Sequence, residues 1–338
     1  MTKIVNDPSE MVGVNLESLT RLYPHLRGDR ALGAIFSTTS PDDVVPILSG
    51  GGSGHEPAHF GYVGRGMLTA AVQGPIFIPP CSEAIYQSMK QIYKEDKGIL
   101  LIVKNFEADM KEFSEAIHRG RKEGMKISYV VSHDDISKET NSFKTRHRGV
   151  AGTVLLHKIL GGAALSGLTL EELEAIGWDL STSIATLGVA TRSATLPGMK
   201  EPIFDLPEAF ISYGIGIHGE AGYRTVAFES SERLAVELVN KLKLKFRWKE
   251  GDDYILLVNN LGGSTQLEEM VFTNDLLQLL ELEGLNLVDV RCGKFVSSLD
   301  MAGLSVTLCE VKDRKWIDYY KAPTDAFAWP NHSLNGKI

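Results

Sequence analysis

The chain has 338 residues, 43% of them hydrophobic and 23% charged, with a formal net charge of −8. That is the make-up of a globular protein long enough for two cores, and its acidity argues against direct, phosphate-driven binding of nucleic acid. Three scattered cysteines (Cys81, Cys292, Cys309) suggest neither a disulfide framework nor a zinc site. No apolar run reaches the roughly 18 residues needed to span a membrane, and the N-terminus lacks a signal-peptide core, so a cytoplasmic protein without membrane contact is expected.

In chain order, residues 10–22 read as a helix with Pro8 just ahead of it. Val44–Leu48 has the apolar run of a buried parallel strand and leads into Gly50-Gly51-Gly52-Ser53-Gly54-His55-Glu56-Pro57. Apolar stretches at 98–104 and 126–131 alternate with helical patterns at 82–93 and 107–120, which predicts an α/β sheet with parallel strands. Residues 150–165 are apolar at helical spacing, Thr169 and Glu172 form a capping-box pattern, and 192–204 reads as a loop. Beyond it, 226–242 and 276–283 read as helices, 254–258 and 304–308 as strands, and the tail from Trp316 to Ile338 as irregular. The expected architecture is two α/β domains, each a mixed, mostly parallel sheet flanked by helices. Residues 1–190 would carry the glycine loop and Asp109, and 191–338 would carry His218.

Three stretches could carry chemistry. In the glycine loop, successive N–H groups can converge on an oxygen-rich ligand, with His55 just beyond to move protons; the alternative is a tight turn with a solvated histidine. No Gly-Lys-Ser/Thr follows, so it is not a Walker A loop, and Glu56-Pro57 interrupts a dinucleotide fingerprint. No nucleotide, metal or other cofactor is therefore expected. Second, Lys104 and Asp109 follow a buried strand at its C-terminal end, where open α/β sheets bind ligands, unless this is an ordinary βα loop. Third, in Gly214-Ile215-Gly216-Ile217-His218-Gly219-Glu220 the Gly, Ile alternation fits a strand edge, and an open imidazole there can attack a small carbonyl. His157 reads as a packed helix residue, His59 as lacking a third metal ligand, and Arg146-His147-Arg148-Gly149 as a solvated turn.

Taken together, these stretches, with Arg148-Gly149-Val150-Ala151-Gly152-Thr153 and Ser298-Leu299-Asp300-Met301-Ala302-Gly303, resemble the dihydroxyacetone-binding subunit of dihydroxyacetone kinases from about residue 3 to about 325. The resemblance implies a homodimer that holds dihydroxyacetone as a covalent hemiaminal on His218. It also implies that Gly52, Ser53, Gly54, Lys104 and Asp109 line the ligand and that His55 assists acid–base chemistry. The chain departs from the usual kinase pattern at Gly74 to Cys81, at Ala108 and Glu112-Phe113, at Ser132 to Asp135 and at Arg291 to Phe295. Ligand residues kept beside altered neighbours are the pattern expected of the family's non-kinase branch. Its members bind dihydroxyacetone and pair with a TetR-like transcription factor as co-activators of the kinase operon. The alternative is a phosphotransferase-system kinase subunit whose partner is a separate nucleotide-loaded subunit; on neither reading does this chain bind nucleotide itself.

Overall fold

The computed structural model describes residues 3–138 and 147–331. The chain forms two compact units that are interleaved in sequence. One takes the chain up to Ser132, Thr153–Ser181 and the segment from Lys315 onward; the other takes His133–Gly152 and Thr182–Arg314.

The first unit begins with α1 (Met11–Leu22) and the strands β1 (Leu26–Asp29), β2 (Ala34–Ser37), β3 (Ile47–Ser53) and β4 (Ala70–Ile76). It continues through α2 (Ser82–Ile92), β5 (Ile99–Lys104), α3 (Glu107–Lys122), β6 (Ile127–Ser132), α4 (Thr153–Leu165) and α5 (Leu170–Ser183). The strand order is β1-β2-β4-β3-β5-β6. β4, β3, β5 and β6 run parallel, and the β1–β2 hairpin joins antiparallel. Every residue of β5 is buried, as a strand covered on both faces must be. Its Ile99, Leu101 and Val103 pack with Ile85 and Met89 of α2 and Phe113 and Ala116 of α3. The mostly apolar pattern of α4 has its reason here too, since Thr153 through Ala164 are all buried, His157 and Lys158 among them.

The second unit contains β7 (Ile184–Arg192), β8 (Phe210–Tyr213), β9 (Arg224–Ala227), α6 (Ser231–Phe246), β10 (Asp253–Asn260), α7 (Gln266–Leu282), β11 (Asn286–Gly293) and β12 (Ala302–Glu310). Its order is β11-β10-β12-β7-β8-β9. Leu234, Leu238 and Leu242 of α6 and Phe272, Leu276 and Leu280 of α7 share one core with Leu187, Val189, Leu256, Val258, Val306 and Leu308 from the strands.

Both sheets are mixed and flanked by helices. Mostly parallel pairing, however, holds only in the first, because among the described strands of the second β10 and β11, linked through α7, are the one parallel pair. The helix expected over 226–242 starts at Ser231, where the Ser230 hydroxyl accepts from the Arg233 N–H and caps it; Val226 and Ala227 belong to β9 instead. The helix expected from 276 begins ten residues earlier, behind a capping box of Thr265 and Glu268. The tail is not wholly irregular. α8 (Lys315–Lys321) returns to the first unit, the buried Lys158 ammonium of α4 donates to its terminal carbonyls at Tyr319 and Ala322 (3.3 and 2.7 Å), and Trp329 is 1% exposed.

Candidate functional site

In the first unit, the first half of the expected glycine loop is strand: Gly50, Gly51, Gly52 and Ser53 belong to β3 and pair with β4. Residues without side-chain bulk let the chain stay in the sheet beside the C-terminal end of β5, and it leaves the sheet only at Gly54. An ideal Cβ on Gly51 would lie 2.7 Å from Lys104 Nζ and 3.1 Å from Asp109 Oδ1. Bare backbone is therefore what lets a buried ammonium and a buried carboxylate press on the loop. Lys104 is the last residue of β5, and Asp109 sits in the first turn of α3, where the helix dipole favours a carboxylate. Ser53 spends its hydroxyl on the sheet, donating to Gly74 O at 2.7 Å. The Gly54 N–H reaches both oxygens of Glu56 at 3.1 Å. Burial pushes the Glu56 carboxyl up, while these hydrogen bonds and Lys104 oppose the rise.

His55 is fully buried, not solvated, and stacks on Phe77 with ring centroids 5.0 Å apart. Phe77 takes φ 60°, which non-glycine residues seldom adopt. His59 Nδ1 lies 3.0 Å from Nε2 of His157, which is packed in α4 as expected. Burial, reinforced by the Lys104 charge, holds both imidazoles below their ordinary range, His157 at about 3. The first unit thus brings together six of the expected residues: Gly52, Ser53, Gly54, His55, Lys104 and Asp109.

The seventh, His218, belongs to the second unit. It does not lie on a strand edge: β8 ends at Tyr213, and Gly214–Gly222 is a turn. Within the turn the Gly216 N–H donates to Glu220 O (2.9 Å) and the Gly219 N–H to Gly216 O (3.1 Å), while Ser298 Oγ donates to Ile217 O (2.6 Å). The Glu220 carboxylate takes the His218 N–H on Oε2 and faces the His218 Nδ1 with Oε1, both at 3.0 Å. This contact fixes the ring, and a neutral imidazole that donates from Nδ1 to the carboxylate carries its lone pair on Nε2. The His218 side chain is 20% exposed.

Arg148 supports the turn from below. Its Nε donates to Asp135 Oδ2 (2.7 Å) and its Nη2 to Ser137 Oγ (2.9 Å) and Gly214 O (3.0 Å), while its Nη1 lies 3.6 Å from Glu220 Oε2. The solvated turn expected around Arg148 is thus a buried ion-pair network, because Asp135 supplies a buried counter-charge; Arg146 lies outside the described residues. A Cβ on Gly216 would sit 1.9 Å from Glu220 Oε2 and 2.3 Å from Arg148 Nη1, so the network closes only over a glycine.

Burial raises the Glu220 carboxyl, but the His218 hydrogen bond and charge together with Arg148 outweigh it and bring it down to about 2. A depressed carboxyl contributes stability above its ordinary value of 4.5 that is lost as pH falls towards 2. Thermal midpoints of the native protein are therefore expected to fall faster than those of Glu220→Gln across that window. Parallel curves would mean that the carboxylate is not held this way.

Sequence reading assigned no role to Glu220, Asp135 or Phe77. Glutamate two residues past a histidine in a glycine turn was the available signal for the first; the other two were marked only as lying in segments that depart from the kinase pattern. Among the described residues no three His, Cys, Asp or Glu side chains are grouped to hold a metal ion, and no helix is long and apolar enough to cross a membrane.

A family model described as the Dak1 domain matches residues 17–328. The chain belongs to the Dak1 domain family. Among Dak1 relatives, the DhaKLM operon coactivator DhaQ of Lactococcus lactis is 51% identical over 97% of this chain and 100% of its own length. The dihydroxyacetone-binding subunit DhaK of the PTS-dependent dihydroxyacetone kinase of the same organism is 39% identical over 97% of this chain and 98% of its own. A solved structure of the dihydroxyacetone kinase operon co-activator Dha-DhaQ superposes with a TM-score of 0.91 over 97% of this chain and all of that one, at 51% identity. The dihydroxyacetone kinase of C. freundii superposes at 0.90 over all of this chain and 62% of its own, at 29% identity. Two mixed six-stranded sheets flanked by helices are thus the Dak1 fold.

Proposed function

We propose that this chain binds dihydroxyacetone as a covalent hemiaminal on His218 and reports the bound state to a TetR-like transcription factor, acting as co-activator of a dihydroxyacetone kinase operon. The observation that carries the chemistry is the His218–Glu220 pair. The Nε2 lone pair attacks the ketone carbon, the carbonyl π electrons move to oxygen, and that oxygen takes up a proton as the ring gives one up. No redox partner is needed. Glu220 stays ionised and stabilises the positive charge that builds on the ring during attack. Glycerol has no carbonyl and cannot form the adduct. His55 and Asp109 are the proposed acid–base residues, and Gly52, Ser53, Gly54 and Lys104 the remaining ligand contacts.

The co-activator reading is supported by the 51% identity to DhaQ, against 39% to DhaK. It is supported too by the altered neighbours of the ligand residues, which have structural work of their own: Phe77 stacks on His55, and Glu112 accepts the Ser82 N–H at 2.7 Å at the start of α2. The kinase-subunit reading draws on the retained polar cluster of Lys104, Asp109 and His55.

The test is a capture of cellular partners on the purified chain with and without dihydroxyacetone, followed by two assays on what is captured. A TetR-like protein whose operator binding changes with dihydroxyacetone in the presence of the chain supports the co-activator. A nucleotide-loaded subunit that makes dihydroxyacetone phosphate in the mixture replaces it with the kinase reading.

A further inference from the structure

The first unit holds a strained residue against its buried histidine. β4 ends at Ile76, and the chain turns there, with the Ile78 N–H donating to Pro75 O at 3.1 Å. Phe77 is the third residue of that turn. Its φ of 60° belongs to a position that turns normally give to glycine or asparagine. Such a backbone costs free energy and persists only where its surroundings hold it, most often at functional sites. Here the Phe77 N–H donates to Ser53 O at 2.9 Å. The backbone after it presses on the glycines: an ideal Cβ on Gly52 would lie 2.8 Å from Ile78 N, and one on Gly74 would lie 2.3 Å from Ile78 O.

The strained backbone places one ring. A Cβ on Gly54 would meet the Phe77 ring at 2.8 Å, and that ring lies over the His55 imidazole at an interplanar angle of 15°. His55 is 0% exposed, although Phe77 is only half-buried and Ile78 is 56% exposed. The cover over this face of the imidazole is therefore a single side chain. A phosphoryl group brings negative charge, and its transfer needs in-line approach and groups that neutralise that charge. A phenyl ring supplies neither donor nor cation, and a stacked one occupies the space such an approach requires.

We propose that Phe77 determines specificity at His55: it seals the imidazole against a charged phosphoryl donor and leaves it to exchange protons with a small neutral ligand. Phe77 acts through His55 and is a positioning residue. The segment from Gly74 to Cys81, which departs from the usual kinase pattern, thereby has a chemical effect as well as a structural one. The inference rests on the proposed role of His55 in proton transfer.

Phosphoramidate tests it on the full chain. This anionic reagent passes its phosphoryl group to an imidazole nitrogen and releases ammonia, and peptide mapping at alkaline pH locates the product. In the native protein the exposed His118 should be labelled and His55 should not. Phe77→Gly accepts the positive φ and removes the ring. In that variant His55 should be labelled to the extent of His118, while the buried His59 and His157 stay unlabelled. Phe77→Tyr should restore the protection. Should Phe77→Gly not fold, Phe77→Asn, which also tolerates a positive φ, gives the same comparison. Labelling of His55 in the native chain overturns the proposal, as does an unlabelled His55 in the opened variant. Labelling of His55, His59 and His157 together would mean a loosened fold and overturns it as well. The mass increment with dihydroxyacetone, measured on the same samples, is expected in both chains. Its absence from both counts against the proposed function, whereas the labelling alone decides the seal.

Discussion

His218→Ala is expected to abolish the mass increment of one dihydroxyacetone that intact-protein mass spectrometry should find on the native chain. The ring lies in a turn whose backbone is held by Glu220, Ser298 and Arg148 independently of the imidazole, so the variant should fold and leave only the nucleophile missing. An increment that persists would move the covalent bond to another residue and remove the chemical basis of the proposed function. Glu220→Gln makes the finer point. It keeps the shape and removes the charge opposite Nδ1. A hydrogen bond to a charged group contributes about 1.5–3 kcal/mol, so the adduct should weaken by about ten- to a hundred-fold without vanishing. Equal adduct levels in Glu220→Gln and the native protein would mean that the carboxylate merely shapes the turn.

Arg148→Met is expected to be the most destabilising single change near the turn. Asp135 is 5% exposed, and burial already raises its carboxyl against the pull of Arg148. Methionine fills the space but leaves that carboxylate without its counter-charge, which costs about 3–5 kcal/mol for a broken buried pair. The urea midpoint should fall accordingly. Adding Asp135→Leu should restore much of the loss, because removing both charges also removes the desolvation penalty. Equal midpoints for the single and double variants would show that the pair acts through the Ser137 and Gly214 contacts and not through charge.

The parts of this fold that were legible in the sequence are those where burial is continuous. β5 and β6 announce themselves as apolar runs, and α2 and α3 as helical patterns; β3 starts three residues after the expected run at 44–48 and continues through Gly50, Gly51 and Gly52, and β4, the fourth parallel strand, was not read. The second sheet resisted because short antiparallel strands at an edge bury one face or none: β9 has only one of its four residues even half-buried, and its Val226 reads as easily as the start of α6. The Gly-Ile alternation before His218 satisfies a period of two for a different reason, with glycines admitting close approach and isoleucines packing beneath the turn. The site residues drawn from glycine loops and histidines were nameable. The Arg148–Asp135 support was not, since thirteen residues separate partners that only the fold brings together.

The interleaving of the two units has a consequence for synthesis. Among the described residues the second unit takes nothing beyond Arg314, but the first, although it begins at the N-terminus, closes only when α8 and Trp329 arrive. On the ribosome, the half of the protein that starts first is therefore the half that finishes last. Its glycine loop must wait, with its sheet still uncovered by the C-terminal segment, until nearly the whole chain has emerged. A chain stopped at residue 314 would not be a trimmed protein but one whose first unit lacks part of its core.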